Sequence, residues 1–290
     1  MFDSLRVDTW FSTLGDVFDG NGPIWAPQYG MNIEFVPLLQ TQRDLYSLPR
    51  GPERFRAYLE TMLNSDGTDV RLPPLVAMNP MGKDHLPALL DSLLAMEAEV
   101  TAAHASADAA SHLAGVPGDF KLGLVVVDDL MGGWTNRYTS EFFHRFEGPS
   151  AYKRGWMSAW IWSSEAPTLK AVHEEVMRVI FRAAYVLEHD AALRLADMLA
   201  QEGHAMAMAG CSEPSLDSDD LDYTREVLQP HLQATDLPTL IPCLFGDPAA
   251  HALGYPPQGL SYAAGLALAL SEAQLEARSL DSISTISSHD

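Results

Sequence analysis

Cysteine is nearly missing from this sequence: Cys211 and Cys243 are the only two in 290 residues. Two thiols cannot staple a chain of this length, and their spacing fits no cysteine-type zinc site. A disulfide scaffold is therefore excluded, and both thiols read as small core-filling side chains in a reducing cytoplasm. A nucleophilic Cys211 would need a base, and no histidine is visibly placed for it. Basic residues are scarce too, with 18 Lys plus Arg against 39 Asp plus Glu and a formal net charge of −21. Such a surface repels phosphate backbones and anionic lipid, so neither nucleic acid nor a membrane surface is an expected partner. No stretch approaches the roughly 18 uninterrupted apolar residues of a membrane helix. The first residues, Met1 to Asp8, also lack the basic and apolar segments of a secretory signal.

What is present is an ordinary globular balance, 47% apolar and 20% charged residues, which supports a substantial core rather than disorder. Short apolar runs alternate with helical periodicity. Asn32 to Leu39 reads as a strand, with Pro37 marking it as short or at a sheet edge. Phe55, Leu59, Met62 and Leu63 recur on one face of a helix opened by Pro52. Leu75 to Met78 reads as a buried strand, followed by a long helix from about Asp84 that Gly115 would stop. Lys121 to Val127 is the most strand-like segment. A short helix around Ser140 to Phe146 and a strand from Trp156 to Trp162 follow it. Pro167 then opens a helix with Leu169, Val172, Val176, Val179, Ile180, Ala183 and Leu187 as its apolar stripe. Asp190 would cap the next helix, and Gly203 would end it.

This order implies an α/β fold: a mostly parallel sheet flanked by helices, with a helix- and loop-rich C-terminal region. The expected division is an α/β domain over 1–210, a helical and loop appendage packed on it over 211–280, and a frayed Ser-rich tail over 281–290. A partial barrel, or a mainly helical protein with a small sheet, is the competing architecture. Prolines at 230, 238, 242, 248, 256 and 257 are expected to break regular structure in the appendage.

Three apolar runs, ending at Met78, Val127 and Trp162, each give way to a polar cluster. In an open parallel sheet the carboxyl ends of the strands form the crevice that holds ligands, so these clusters are expected to share a site. In the first, Asn79 to His85, a helix N-terminus with Lys83 could hold a carboxylate or phosphate. The plain alternative is an Asn79-Pro80 turn with Asp84 as N-cap. One glycine before the lysine is too few for a Walker A loop. In the second, Asp128 or Asp129 could act as a general base or bind a divalent cation. Alternation along the strand would send only one of them into the crevice. Gly132-Gly133 would allow Trp134, Asn136 and Arg137 to fold back toward it. Arg137 then either binds an acidic substrate or pairs internally with an aspartate. In the third, Glu165 adds a carboxylate near a helix start, where it could simply complement the dipole. Trp134, Trp156, Trp160 and Trp162 would form an apolar wall, or merely core.

Other motifs fail on geometry. His173-Glu174 begins like H-E-x-x-H, but Met177 stands where the second histidine is needed. His104, Asp108 and His112 share a helical face that rises about 12 Å, too far for one ion to gather all three. The Asp217 to Asp222 knot lacks the glycine and glutamate of a calcium-binding EF-hand. No G-x-S-x-G elbow, G-x-G-x-x-G fingerprint or C-x-x-C pair occurs. His85 and His144 are the histidines that neighbour the expected crevice.

The expectation is a cytoplasmic enzyme acting on a small anionic molecule, by general acid/base or divalent-metal-assisted hydrolysis or elimination. Asp128, Asp129, Glu165 and His85 are the catalytic candidates, and Asn79, Lys83, Trp134, Asn136 and Arg137 the binding candidates. Asp128 and Asp129 are the candidate ligands for a divalent cation, the one cofactor considered. Association into a homo-oligomer stays open. The rival reading is a non-catalytic ligand-binding or assembly protein using the same loops, and a third is a helical metal protein using His104 or His173.

Overall fold

Strand β2, Gly118–Val127, is the centre of the sheet in a computed structural model that describes residues 30–130 and 136–287, with side chains as far as 279. Its Leu122 and its Leu124 to Val127 run are almost wholly buried. A continuous apolar run of this kind suits a strand covered on both faces. Strand β1, Met31–Val36, pairs parallel to one side of β2 from Met31↔Gly118 to Val36↔Gly123. Strand β3, Trp156–Trp162, pairs parallel to the other side from Lys121↔Trp156 to Val127↔Trp162. The protein is thus an α/β fold, its parallel sheet flanked by helices and continued by a helix-rich C-terminal region. β1 lies at the edge, where Pro37 can end it without breaking a ladder.

Between β1 and β2 come four helices: α1 (Leu39–Ser47), α2 (Pro52–Met62), α3 (His85–Ala95) and α4 (Ala98–His112). Leu75 to Met78 is not a strand. Pro73–Ala77 forms a 3-10 turn, because consecutive prolines at 73 and 74 remove the N–H groups a ladder would need. The turn is still buried, since Gly123 on β2 lets it close in. A Cβ there would come within 2.9 Å of Pro74 Cγ and 2.6 Å of Leu38 Cδ1. The single long helix expected after Asp84 is two helices. Glu97, with φ at 58°, breaks the chain between α3 and α4. In α2 the buried residues are Arg54, Tyr58 and Met62, while Phe55 faces out, so the buried stripe is rotated by one position from the expected one.

After β2 follow α5 (Arg137–Arg145), β3, α6 (Leu169–His189) and α7 (Leu195–Met208). Thr168 caps α6 by accepting from Ala171 N at 3.0 Å, whereas Asp190 ends that helix instead of capping the next. Gly203 does not stop α7. A Cβ there would lie 2.6 Å from Ala269 O, so glycine permits a close crossing with the last helix. The C-terminal region holds α8 (Ser218–Leu228), α9 (Leu237–Phe245), α10 (Asp247–Leu253) and α11 (Ala264–Ser287). Pro238 and Pro248 sit in first turns, where the missing N–H costs nothing, and Pro242 lies inside α9. One buried core extends from Met31 through the sheet to Leu270 of α11. Among the described residues no helix is long and apolar enough to cross a membrane.

β1 stops at the partner of Gly123, so the backbone of β2 beyond it needs another hydrogen-bonding partner on that side. Gln42 of α1, fully buried, supplies it: its Nε2 donates to Val126 O at 2.7 Å and its Oε1 accepts from Val126 N at 2.9 Å. Gln42→Leu should therefore leave two buried backbone groups unpaired, at a cost of about 2 kcal/mol. A urea midpoint unchanged from wild type would refute this account of the strand end.

Candidate active site

The carboxyl ends of β2 and β3 lie side by side, with Ser163 N donating to Val127 O at 2.9 Å. The residues that leave the two strands consequently meet. Asp128, 2% exposed, receives a hydrogen bond from Asn79 Nδ2 at 2.7 Å on Oδ2. On Oδ1 it meets His85 Nε2 at 2.8 Å, Ser163 Oγ at 3.0 Å and Leu130 N at 3.3 Å. Burial alone would raise this carboxyl's pKa. The hydrogen bonds from His85, Asn79 and Ser163 outweigh it and hold the group below the usual carboxylate value. Asp128 is thus an anion and an acceptor only, which fixes the histidine. Nε2 carries the proton that it donates to Asp128, so in the neutral tautomer the lone pair is on Nδ1. That Nδ1 is buried and has no hydrogen-bond partner among the described residues.

The first cluster is brought to β2 by the 3-10 turn rather than by a strand end. Met78, fully buried, anchors it, and Tyr46 Oη donates to Asn79 O at 2.7 Å. Burial, and then the charge of Asp128, push the Tyr46 phenol upward, so it stays protonated as a donor. His85 is the first residue of α3, and its ring therefore leaves a helix start instead of a flexible loop.

Asp129 also points inward, contrary to strict alternation, because β2 ends at Val127 and the pleat ends with it. Ser164 donates to it twice, from N at 2.9 Å and from Oγ at 2.6 Å. Ser163 Oγ lies 3.0 Å from an oxygen of each aspartate, and its single proton serves one carboxylate at a time. Arg137 pairs with Asp129 at 3.6 Å, with Glu141 at 3.4 Å and with Glu165, and its guanidinium lies 5.3 Å from the Trp162 ring centre. Burial opposes that charge, but Glu141 and Glu165 more than restore it and raise the Arg137 pKa. The guanidinium is thereby met by carboxylates of this chain.

The structure therefore brings together Asn79, His85 and Asp128 in one network and Asp129, Arg137 and Glu165 in a second, joined by Ser163. Asn136 sits apart as the N-cap of α5, accepting from Thr139 N at 3.2 Å. Trp134 lies outside the described residues. His144 is not in the crevice: it stacks on Trp160 with ring centres 3.8 Å apart and meets Ser158 O at 2.9 Å. Among the described residues no group of three His, Cys, Asp or Glu side chains is placed to hold a metal ion.

Beside His85 opens a half-exposed cleft of about 380 Å³, lined by Arg50, Arg54, Gly82, Lys83, Asp84 and His85. Sequence reasoning named Lys83 and His85 but missed Arg50 and Arg54. It also passed over Ser163 and Ser164, although their place directly after β3 was a usable signal. Compared with protein-family models, with curated proteins and with solved structures, the chain finds no match.

Proposed function

We propose that the protein is a cytoplasmic enzyme that acts on a small anionic molecule by general acid/base chemistry, in a hydrolysis or an elimination. The observation that carries this reading is the His85–Asp128 pair: a buried, ionised carboxylate orients a histidine whose other ring nitrogen is an unpartnered base. His85 lines the cleft, and Nδ1 is the ring nitrogen not engaged by Asp128. Asp128 positions the ring and stabilises the imidazolium that forms when His85 accepts a proton. Asn79 and Ser163 hold Asp128 in turn, while Arg137 clamps the loops carrying Asp129 and Glu165.

Acid/base action is favoured over metal assistance because the oxygens of Asp128 are already engaged by Asn79, His85 and Leu130, with Ser163 as a donor shared with Asp129. The test is turnover of a panel of small esters, phosphate esters and β-substituted acids, followed by proton NMR. His85→Gln should lower the rate of any accepted compound about a hundred- to ten-thousand-fold without unfolding the protein. Equal turnover by wild type and His85→Gln would overturn the assignment. Ligand binding with no turnover of any compound would favour the non-catalytic reading.

A further inference from the structure

The cleft beside His85 carries a charge that the rest of the molecule does not. Arg50, Arg54 and Lys83 line it against one carboxylate, Asp84, in a chain whose formal net charge is −21. Arg54 is 8% exposed, and its guanidinium is held by neutral oxygens: Nε and Nη2 donate to Leu48 O at 2.8 and 2.6 Å, and Nη1 to Gly82 O at 3.2 Å. Among the described residues no carboxylate lies within ion-pair distance of it. Each terminal nitrogen keeps a second N–H beyond these bonds. The Tyr46 ring lies 5.4 Å from its centre and stiffens its position. Asp84, the N-cap of α3, makes no side-chain capping bond, so the positive end of that helix is not answered by its own cap.

We infer that this cleft binds the dianionic phosphate of a small phosphomonoester, with Arg54, Lys83 and Arg50 as its countercharges. The inference rests on His85 being the acid/base of the same site, since the cleft places the phosphate beside that ring. Arg54, whose hydrogen-bond partners are neutral carbonyls, and Arg50 beside it supply two positive charges that a phosphate dianion answers more fully than a monocarboxylate. The donors come from α2, from the loop before it and from the loop leading into α3, and guanidinium groups suit a phosphate's paired oxygens. The overall acidity of the chain disfavours polyanions and anionic bilayers as sources of that phosphate.

The test is calorimetric titration of the full chain with inorganic phosphate at about pH 8, where it is a dianion. Malonate at matched ionic strength is the dicarboxylate comparison. Phosphate is expected to bind at least about tenfold more tightly than malonate, and Lys83→Glu to weaken it by about tenfold or more. Lys153→Glu, the same charge change at an exposed lysine away from the cleft, is expected to leave it unchanged. No phosphate binding, equal binding by Lys83→Glu, or malonate binding as tightly as phosphate overturns the inference. Sedimentation of the protein with phosphatidate vesicles overturns the small-molecule source. The ring tautomer of His85, read independently by nitrogen NMR, separates the two proposals. A reversed tautomer with phosphate binding intact defeats the acid/base reading, and lost phosphate binding with the expected tautomer defeats the subsite alone.

Discussion

Glu202→Ala is expected to destabilise the fold by about 3–5 kcal/mol, the cost of leaving buried charges without their partner. Glu202 is fully buried on α7 and binds two guanidinium groups. Arg182 of α6 reaches Oε1 from Nε at 2.6 Å and Oε2 from Nη2 at 3.0 Å, and Arg145 of α5 also donates to Oε2. Gln201 beside it donates to Arg145 O at 2.8 Å. Burial would push the Glu202 carboxyl up, but Arg182 and Arg145 hold it down at about 2. The cost of truncation comes chiefly from the stranded guanidinium groups. Glu202→Leu combined with Arg182→Met should accordingly lose less stability than Glu202→Leu alone, since Arg145 keeps Glu141 at 2.5 Å. Urea midpoints for the set would measure this, and a Glu202→Ala loss below about 1 kcal/mol would contradict it. The same chain of charges continues through Glu141 to Arg137 and Asp129, so the core network also holds the loops of the site.

Acid is expected to remove a comparable amount of stability through two buried histidines. His144 is held down to about 4, first by burial and then by the charges of Arg182 and Arg145, against the opposing influence of Glu175 and Ser158 O. His204 is held down to about 4 by burial and by His189. The unfolded chain takes up both protons near pH 6.5, so it binds more protons than the folded one across the interval below that value. Stability is therefore complete above pH 6.5 and falls as pH drops to about 4. Each histidine contributes about 3 kcal/mol of that loss. Urea midpoints across this interval should slope downward toward acid, and His204→Gln should flatten the slope. A constant midpoint from pH 6.5 to 4 would show that the two rings protonate as freely in the folded state as in the unfolded one.

The central strand was legible in the sequence because Leu124 to Val127 is apolar, β-branched and followed at once by charge. Leu75 to Met78 misled because a buried 3-10 turn and a buried strand present the same short apolar run, and only Pro73-Pro74 distinguishes them. The turn nevertheless delivers Asn79 and His85 to the end of β2, as a strand would. Arg54 was not legible. It occupies a buried helical position where pattern reading expects an apolar side chain, and the carbonyls of Leu48, just before the helix, and of Gly82, 28 residues on, make that position tolerable. Gln42 was hidden for the same reason, as its partner lies 84 residues away on β2. In the C-terminal region Pro238 and Pro248, expected to break regular structure, instead mark helix starts, because a first-turn proline loses no hydrogen bond.

The central claim is that Asp128 orients His85 so that its Nδ1 is the free base beside the cationic cleft. Long-range proton–nitrogen NMR of the histidine rings, assigned by comparison with His85→Gln, tests it most directly. The account predicts that the neutral form of His85 is protonated on Nε2 with an acceptor-type Nδ1, and that this preference is lost in Asp128→Asn. A ring protonated on Nδ1 in the wild type, or one indifferent to Asp128→Asn, would contradict it.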